Sequence, residues 1–112
     1  MKILERRVGD VMILDLHGRI LTGEGDKALR EAARRLADSG AGKLLLNFAD
    51  VSFVDSSIVG EMVRTLTTVT RKGGKLKLLN LPARIRSLLS TTRLLTIFET
   101  YDSEDEAIQS YA

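Results

Sequence analysis

Leu29, Ala32, Ala33, Leu36 and Ala37 recur at steps of three and four residues, while Arg30, Glu31, Arg34, Arg35 and Asp38 fall off that stripe. Such a period gathers the apolar groups on one side only in an α-helix, which predicts a helix that follows a cap at Asp26 and runs to about residue 39. Gly40-Ala41-Gly42 ends it, with glycine where a left-handed backbone is wanted. The period returns in Ile58, Val59, Met62, Val63, Leu66 and Val69, predicting a second helix over roughly 57–72 that stops at Gly73-Gly74. Pro82 suits the first turn of a third helix with Ile85, Leu88 and Leu89 facing inward. Ser103-Glu104-Asp105-Glu106 has the spacing of a capping box, so a terminal helix carries Ala107, Ile108 and Tyr111 onto the body.

Between these stripes lie segments of strand character. Residues 2–8 and 11–16 form a predicted hairpin through Gly9-Asp10. Val11, Ile13 and Asp15 share one face of its second strand and Met12, Leu14 and Leu16 the other, so that strand belongs inside the sheet. Gly18 to Gly25 reads as a flexible connection. Lys43-Leu44-Leu45-Leu46-Asn47-Phe48 is a short, almost continuous apolar run, the pattern of a central strand buried on both faces. Val51 to Val54 is a further apolar run, 75–79 is a strand between turn signals, and 96–101 is the last strand.

The predicted order is β-β-α-β-α-β-α-β-α. Strands separated by helices imply parallel crossovers, and the opening hairpin is antiparallel, so the fold class is α/β with a mixed, mostly parallel sheet. In such sheets ligands and partners meet the loops at the carboxyl ends of the strands. Both Thr22-Gly23-Glu24-Gly25 and Asp55-Ser56-Ser57 fall at such ends and are expected to share one surface.

Composition narrows the class. The chain has 112 residues, 44% hydrophobic and 29% charged, which suits one globular domain over 1–112. It has no cysteine, so neither disulfides nor a thiolate metal site is available. The first seven residues lack the apolar stretch of a secretory signal, and no segment approaches the roughly 18 apolar residues of a membrane span. A cytoplasmic protein without membrane insertion is expected. The 17 basic residues are offset by 15 acidic ones, and only five aromatics occur, so direct nucleic-acid binding is not expected. The densest basic stretch, Arg71-Lys72-Gly73-Gly74-Lys75-Leu76-Lys77, reads as a solvated helix end.

Catalytic constellations are weak. His17 is the only histidine and reads as a surface or hydrogen-bonded residue at a strand end. Ser57 lacks the Gly-x-Ser-x-Gly elbow of a hydrolase nucleophile, and Gly73-Gly74-Lys75 follows a helix and precedes a strand, the reverse of a P-loop. The carboxylates Glu24 and Asp26, and Asp102 with Glu104 to Glu106, lack the spacing of a calcium loop. No catalytic residue, metal or cofactor is assigned, and the chain is not expected to be an enzyme. Asp55-Ser56-Ser57 is different. At a helix start, backbone N–H groups lack partners and carry partial positive charge, so these residues either cap the helix or offer a serine whose phosphate the terminus can hold.

Asp55-Ser56-Ser57, preceded by Leu44 to Val54 and followed by Gly60, resembles the signature of the STAS domain, specifically of the anti-sigma factor antagonists. The resemblance extends upstream through Leu14 to Ile20 and downstream through Gly73 to Asn80. It implies a regulator of transcription by partner switching. The unphosphorylated domain binds a serine-kinase anti-sigma factor, the kinase phosphorylates the second serine, and a serine phosphatase restores the cycle. By position the acceptor is Ser57. Asp55 and Ser56 shape the turn, Gly60 completes the signature, and Glu24 and Asp26 belong to the partner surface. Many members have glycine after the paired serines, whereas this chain has Ile58, which fits the inward stripe or adds an apolar contact to the partner. Two other classes stay open: a constitutive STAS subunit docked on the ATPase of a lipid-transport complex, and a small nucleotide-binding domain. The oligomeric state is left open.

Overall fold

A computed structural model describes residues 1–21 and 23–112; for Glu24 and Asp26 only the backbone is described. The elements are β1 (Lys2–Val8), β2 (Val11–Ile20), α1 (Glu24–Asp38), β3 (Lys43–Val54), α2 (Ile58–Arg71), β4 (Lys75–Leu79), α3 (Ala83–Thr91), β5 (Glu99–Tyr101) and α4 (Glu104–Gln109), in the order predicted. The five strands stand side by side as β1-β2-β3-β4-β5. β1 runs antiparallel to β2, and the remaining pairs are parallel. The segment 43–48 does lie in the central strand.

Alternation along the strands divides the core in two. Leu14 and Leu16 of β2 with Leu44, Leu46 and Phe48 of β3 pack beneath Leu29 and Ala33 of α1, Ile58, Met62 and Val69 of α2, and Ile85 and Leu89 of α3. Val11, Ile13 and Leu45 point the other way and meet Ala107 of α4 and Tyr111. Three helices therefore cover one face, and one short helix covers part of the other. Ser103 accepts the Glu106 N–H through its hydroxyl at 3.4 Å, as the capping box requires.

Three boundaries differ from the sequence reading. Gly18-Arg19-Ile20 is not a flexible connection: these residues continue β2 alongside β3, with register shifts at Asp15/His17 and Gly18/Arg19. Gly18 at φ +90° supplies the backbone that such an irregularity needs, so glycine marks a bulge here and not a loop. Asp26 is not the cap of α1, which begins at Glu24 after Gly23. The last strand is shorter than 96–101, because Leu95–Ile97 form one turn of 3-10 helix before β5.

Candidate functional site

β2 and β3 end together, with the Asp55 N–H donating to the Ile20 carbonyl at 2.9 Å. Asp55 then folds the chain into α2: its Oδ1 accepts the Ser57 N–H at 3.0 Å and its carbonyl accepts the Ile58 N–H at 3.0 Å. The Val59 N–H donates to Ser56 O at 3.4 Å. The turn itself thus engages the early donors, as the capping reading of Asp55 expects. Asp55 does the capping. Ser57 holds the N-cap position at φ −65°, and its hydroxyl makes no cap bond.

Burial separates neighbouring side chains sharply. Ile58 is 2% exposed and Val59 is buried, whereas Ser56, Ser57 and Gly60 are exposed. The expectation that Ile58 contacts a partner is therefore corrected: the helical stripe carries it into the core, where a β-branched side chain packs among Leu, Val and Met. Nothing lies within 4 Å of the place a Gly60 Cβ would occupy. Bare helix backbone faces outward one turn beyond the serines.

The start of α1 is pressed against the same strand ends. The Gly25 N–H donates to Leu21 O at 3.1 Å, and a Cβ on Gly25 would stand 3.3 Å from Ile20 Cγ2, so a larger residue would push the helix away. That approach sets the backbone of Glu24 and Asp26 in the first turn of α1, beside the end of β2. Thr22 and the side chains of Glu24 and Asp26, which the sequence reading assigned to this surface, lie outside the described residues.

Three features of this end were not read from the sequence. Glu61, one turn after Ser57, is 5% exposed; its Oε2 accepts from Arg30 of α1 at 3.1 Å, while Oε1 has no hydrogen-bond partner. A carboxylate between Ile58 and Met62 on a buried stripe was the available signal. Phe53 is 40% exposed, with the Arg19 and Arg84 guanidiniums 5.4 Å and 5.8 Å from its ring centre. Leu21 is 41% exposed. His17 lies inside β2 and not at a strand end as expected, with Nδ1 3.3 Å from an Asp50 carboxylate oxygen.

A model of the STAS domain matches residues 2–107. The chain belongs to the STAS domain family. The anti-sigma-B factor antagonist of Bacillus subtilis is 37% identical to this STAS domain over 81 residues, 72% of this chain and 73% of that one. The anti-sigma factor antagonist SpoIIAA in its unphosphorylated form shares the fold at a TM-score of 0.76 and 22% identity, covering 98% of this chain and 97% of that one. The Bacillus cell fate determinant SpoIIAA in its phosphorylated form does so at 0.77 and 23% identity, covering 99% and 100%. Among the described residues of this STAS domain, no helix is long and apolar enough to cross a membrane.

Proposed function

We propose that this STAS domain is an anti-sigma factor antagonist, that it binds a serine-kinase anti-sigma factor through the carboxyl ends of its strands, and that phosphorylation of Ser57 releases it. One observation carries the reading: Ser57 is exposed at the start of α2 although both residues that follow it are buried. The turn presents a hydroxyl and keeps its apolar neighbours out of the way. Asp55 holds the serine in place, Ser56 flanks it, and Gly60 leaves room for a second backbone to approach. Glu24 and Asp26 extend the surface on the α1 side. The names of the similar proteins, and the phosphorylated form of SpoIIAA among them, support this assignment.

In the reaction, the Ser57 hydroxyl oxygen takes the terminal phosphoryl group of ATP, its proton passes to a base of the kinase, and ADP leaves. A serine phosphatase hydrolyses the ester and restores the hydroxyl. Both enzymes and ATP place this cycle in the cytoplasm. The switch is electrostatic. A neutral hydroxyl can be covered by a partner at low cost, whereas a phosphate brings about two negative charges beside the Asp55 carboxylate. An unfavourable change of about 3 kcal/mol lowers affinity more than a hundredfold, enough to dissolve a micromolar complex.

Incubation with serine kinases of the same genome and ATP, followed by mass spectrometry, is expected to place one phosphate on Ser57. Ser57→Ala is expected to bind the kinase and resist release, and Ser57→Asp to bind about a hundredfold more weakly. Equal affinities of the wild type and Ser57→Asp for the cognate kinase would overturn the reading.

A further inference from the structure

Phe53 stands four residues before Ser57 on the same strand and turn, beside Arg19 of β2 in register. Arg84 reaches the same ring from the first turn of α3. Arg6, Arg30, Arg35 and Arg86 each face a carboxylate. Among the described residues, Arg19 and Arg84 face a phenyl ring instead. Both are exposed, as is the ring. A guanidinium over an aromatic face spends its flat side there and keeps its N–H edge available, and that edge matches the two oxygens of a carboxylate. Beside the ring a recess of about 140 Å3 opens between Val51, Val54, Pro82 and Arg84. It has room for one apolar side chain, being a few times the volume of a water molecule.

We propose that Phe53, Arg19 and Arg84 form a second contact for the anti-sigma factor, taking an acidic segment of that protein whose apolar side chain enters the recess and whose carboxylates meet the two arginines. The proposal rests on the reading of Ser57 given above and names the chemistry that decides which kinase is accepted. Two observations select this occupant. Among the described residues no carboxylate pairs with Arg19 or Arg84, and the patch is continuous with the turn that presents Ser57. An aromatic ring flanked by arginines also has the make-up of interface residues that dominate binding.

The test uses the whole chain and the purified serine-kinase anti-sigma factors of the same genome, titrated by calorimetry against the wild type, Phe53→Ala, the double variant Arg19→Glu/Arg84→Glu, and Ser57→Asp. Phe53→Ala is expected to weaken binding by about 30-fold. The double variant is expected to lose at least as much and to reduce the dependence of affinity on salt. Replacing acidic residues of the kinase by lysine is expected to restore binding to the double variant. All three side chains are exposed, so thermal melting should stay close to that of the wild type. If Phe53→Ala and the double variant bind like the wild type while Ser57→Asp does not, this inference falls and the Ser57 reading stands. If Ser57→Asp also binds normally, or no kinase binds the wild type, both fall. Tighter binding by the double variant would show a basic occupant, and a dimer dissolved by Phe53→Ala would show a second copy of this chain; either overturns the proposal.

Discussion

The two ends of the central strands are finished in opposite ways. At the amino ends of β3 and β4, the Tyr111 hydroxyl donates to Leu44 O at 2.5 Å and lies 3.2 Å from Lys75 O. Lys77, 5% exposed, places its ammonium 4.2 Å from the Tyr111 ring centre, donates to Ser110 O and Oγ, and pairs with Glu99 at 2.9 Å. The polar groups of Tyr111 and Lys77 are answered from within the chain. At the carboxyl ends, Ser56, Ser57, Gly60, Phe53 and Leu21 all face solvent. Internal bonds crowd one pole and the proposed contact lies at its opposite, so changes at the two poles should have separable effects.

The largest effect should come from Tyr111→Ala. It removes a buried ring and the hydroxyl that donates to the Leu44 carbonyl, so a loss of about 3 kcal/mol or more is expected in urea denaturation. The rate of Ser57 phosphorylation in the folded fraction should be unchanged; a matching fall would show that the two ends are coupled. Gly60→Ala should act in the opposite sense, raising stability by about 0.5–1 kcal/mol because alanine is the better helix former, while slowing phosphorylation by filling the bare helix surface. Unaltered kinetics would remove Gly60 from the contact.

The smallest effect concerns Asp15, which lies between the poles. Its carboxylate is held below the ordinary value chiefly by the hydrogen bond from Arg6, with Asn47 donating at 2.8 Å. A carboxylate depressed in the folded state contributes stability that is fully present above its unfolded pKa, near 3.8, and is lost as pH falls through the lower folded value. Asp15→Asn should therefore flatten the acid limb of the stability curve below about pH 4 and lower the neutral plateau by about 0.5 kcal/mol, since Arg6 is well exposed. Denaturation at pH 3 and pH 7 checks both.

What was legible in the sequence follows from the range over which each feature is written. The stripes of α1 and α2 and the unbroken run at 43–48 are local signals, and all three elements are where their periods put them. The serine turn was legible for the same reason, being one contiguous stretch. Features made by distant segments were not. Lys77 belongs to the stretch read as a solvated helix end, yet its hydrogen-bond partner Ser110 lies 33 residues away, so nothing nearby announced its burial. The ring of Phe53 with Arg19 and Arg84 draws on β2, β3 and α3, and no spacing within any one of them encodes it. Gly18 misled because glycine serves both loops and bulges; only the pairing with β3 decides which.

The strands stand in the sheet in the order in which the chain is synthesised. Each arrives at an edge already formed, and none has to be threaded between earlier neighbours. The serine turn is complete once α2 has coiled onto β2 and β3, well before Tyr111 leaves the ribosome to close the far end. The surface proposed to meet the kinase is made early, and the bolt at the far end is drawn last.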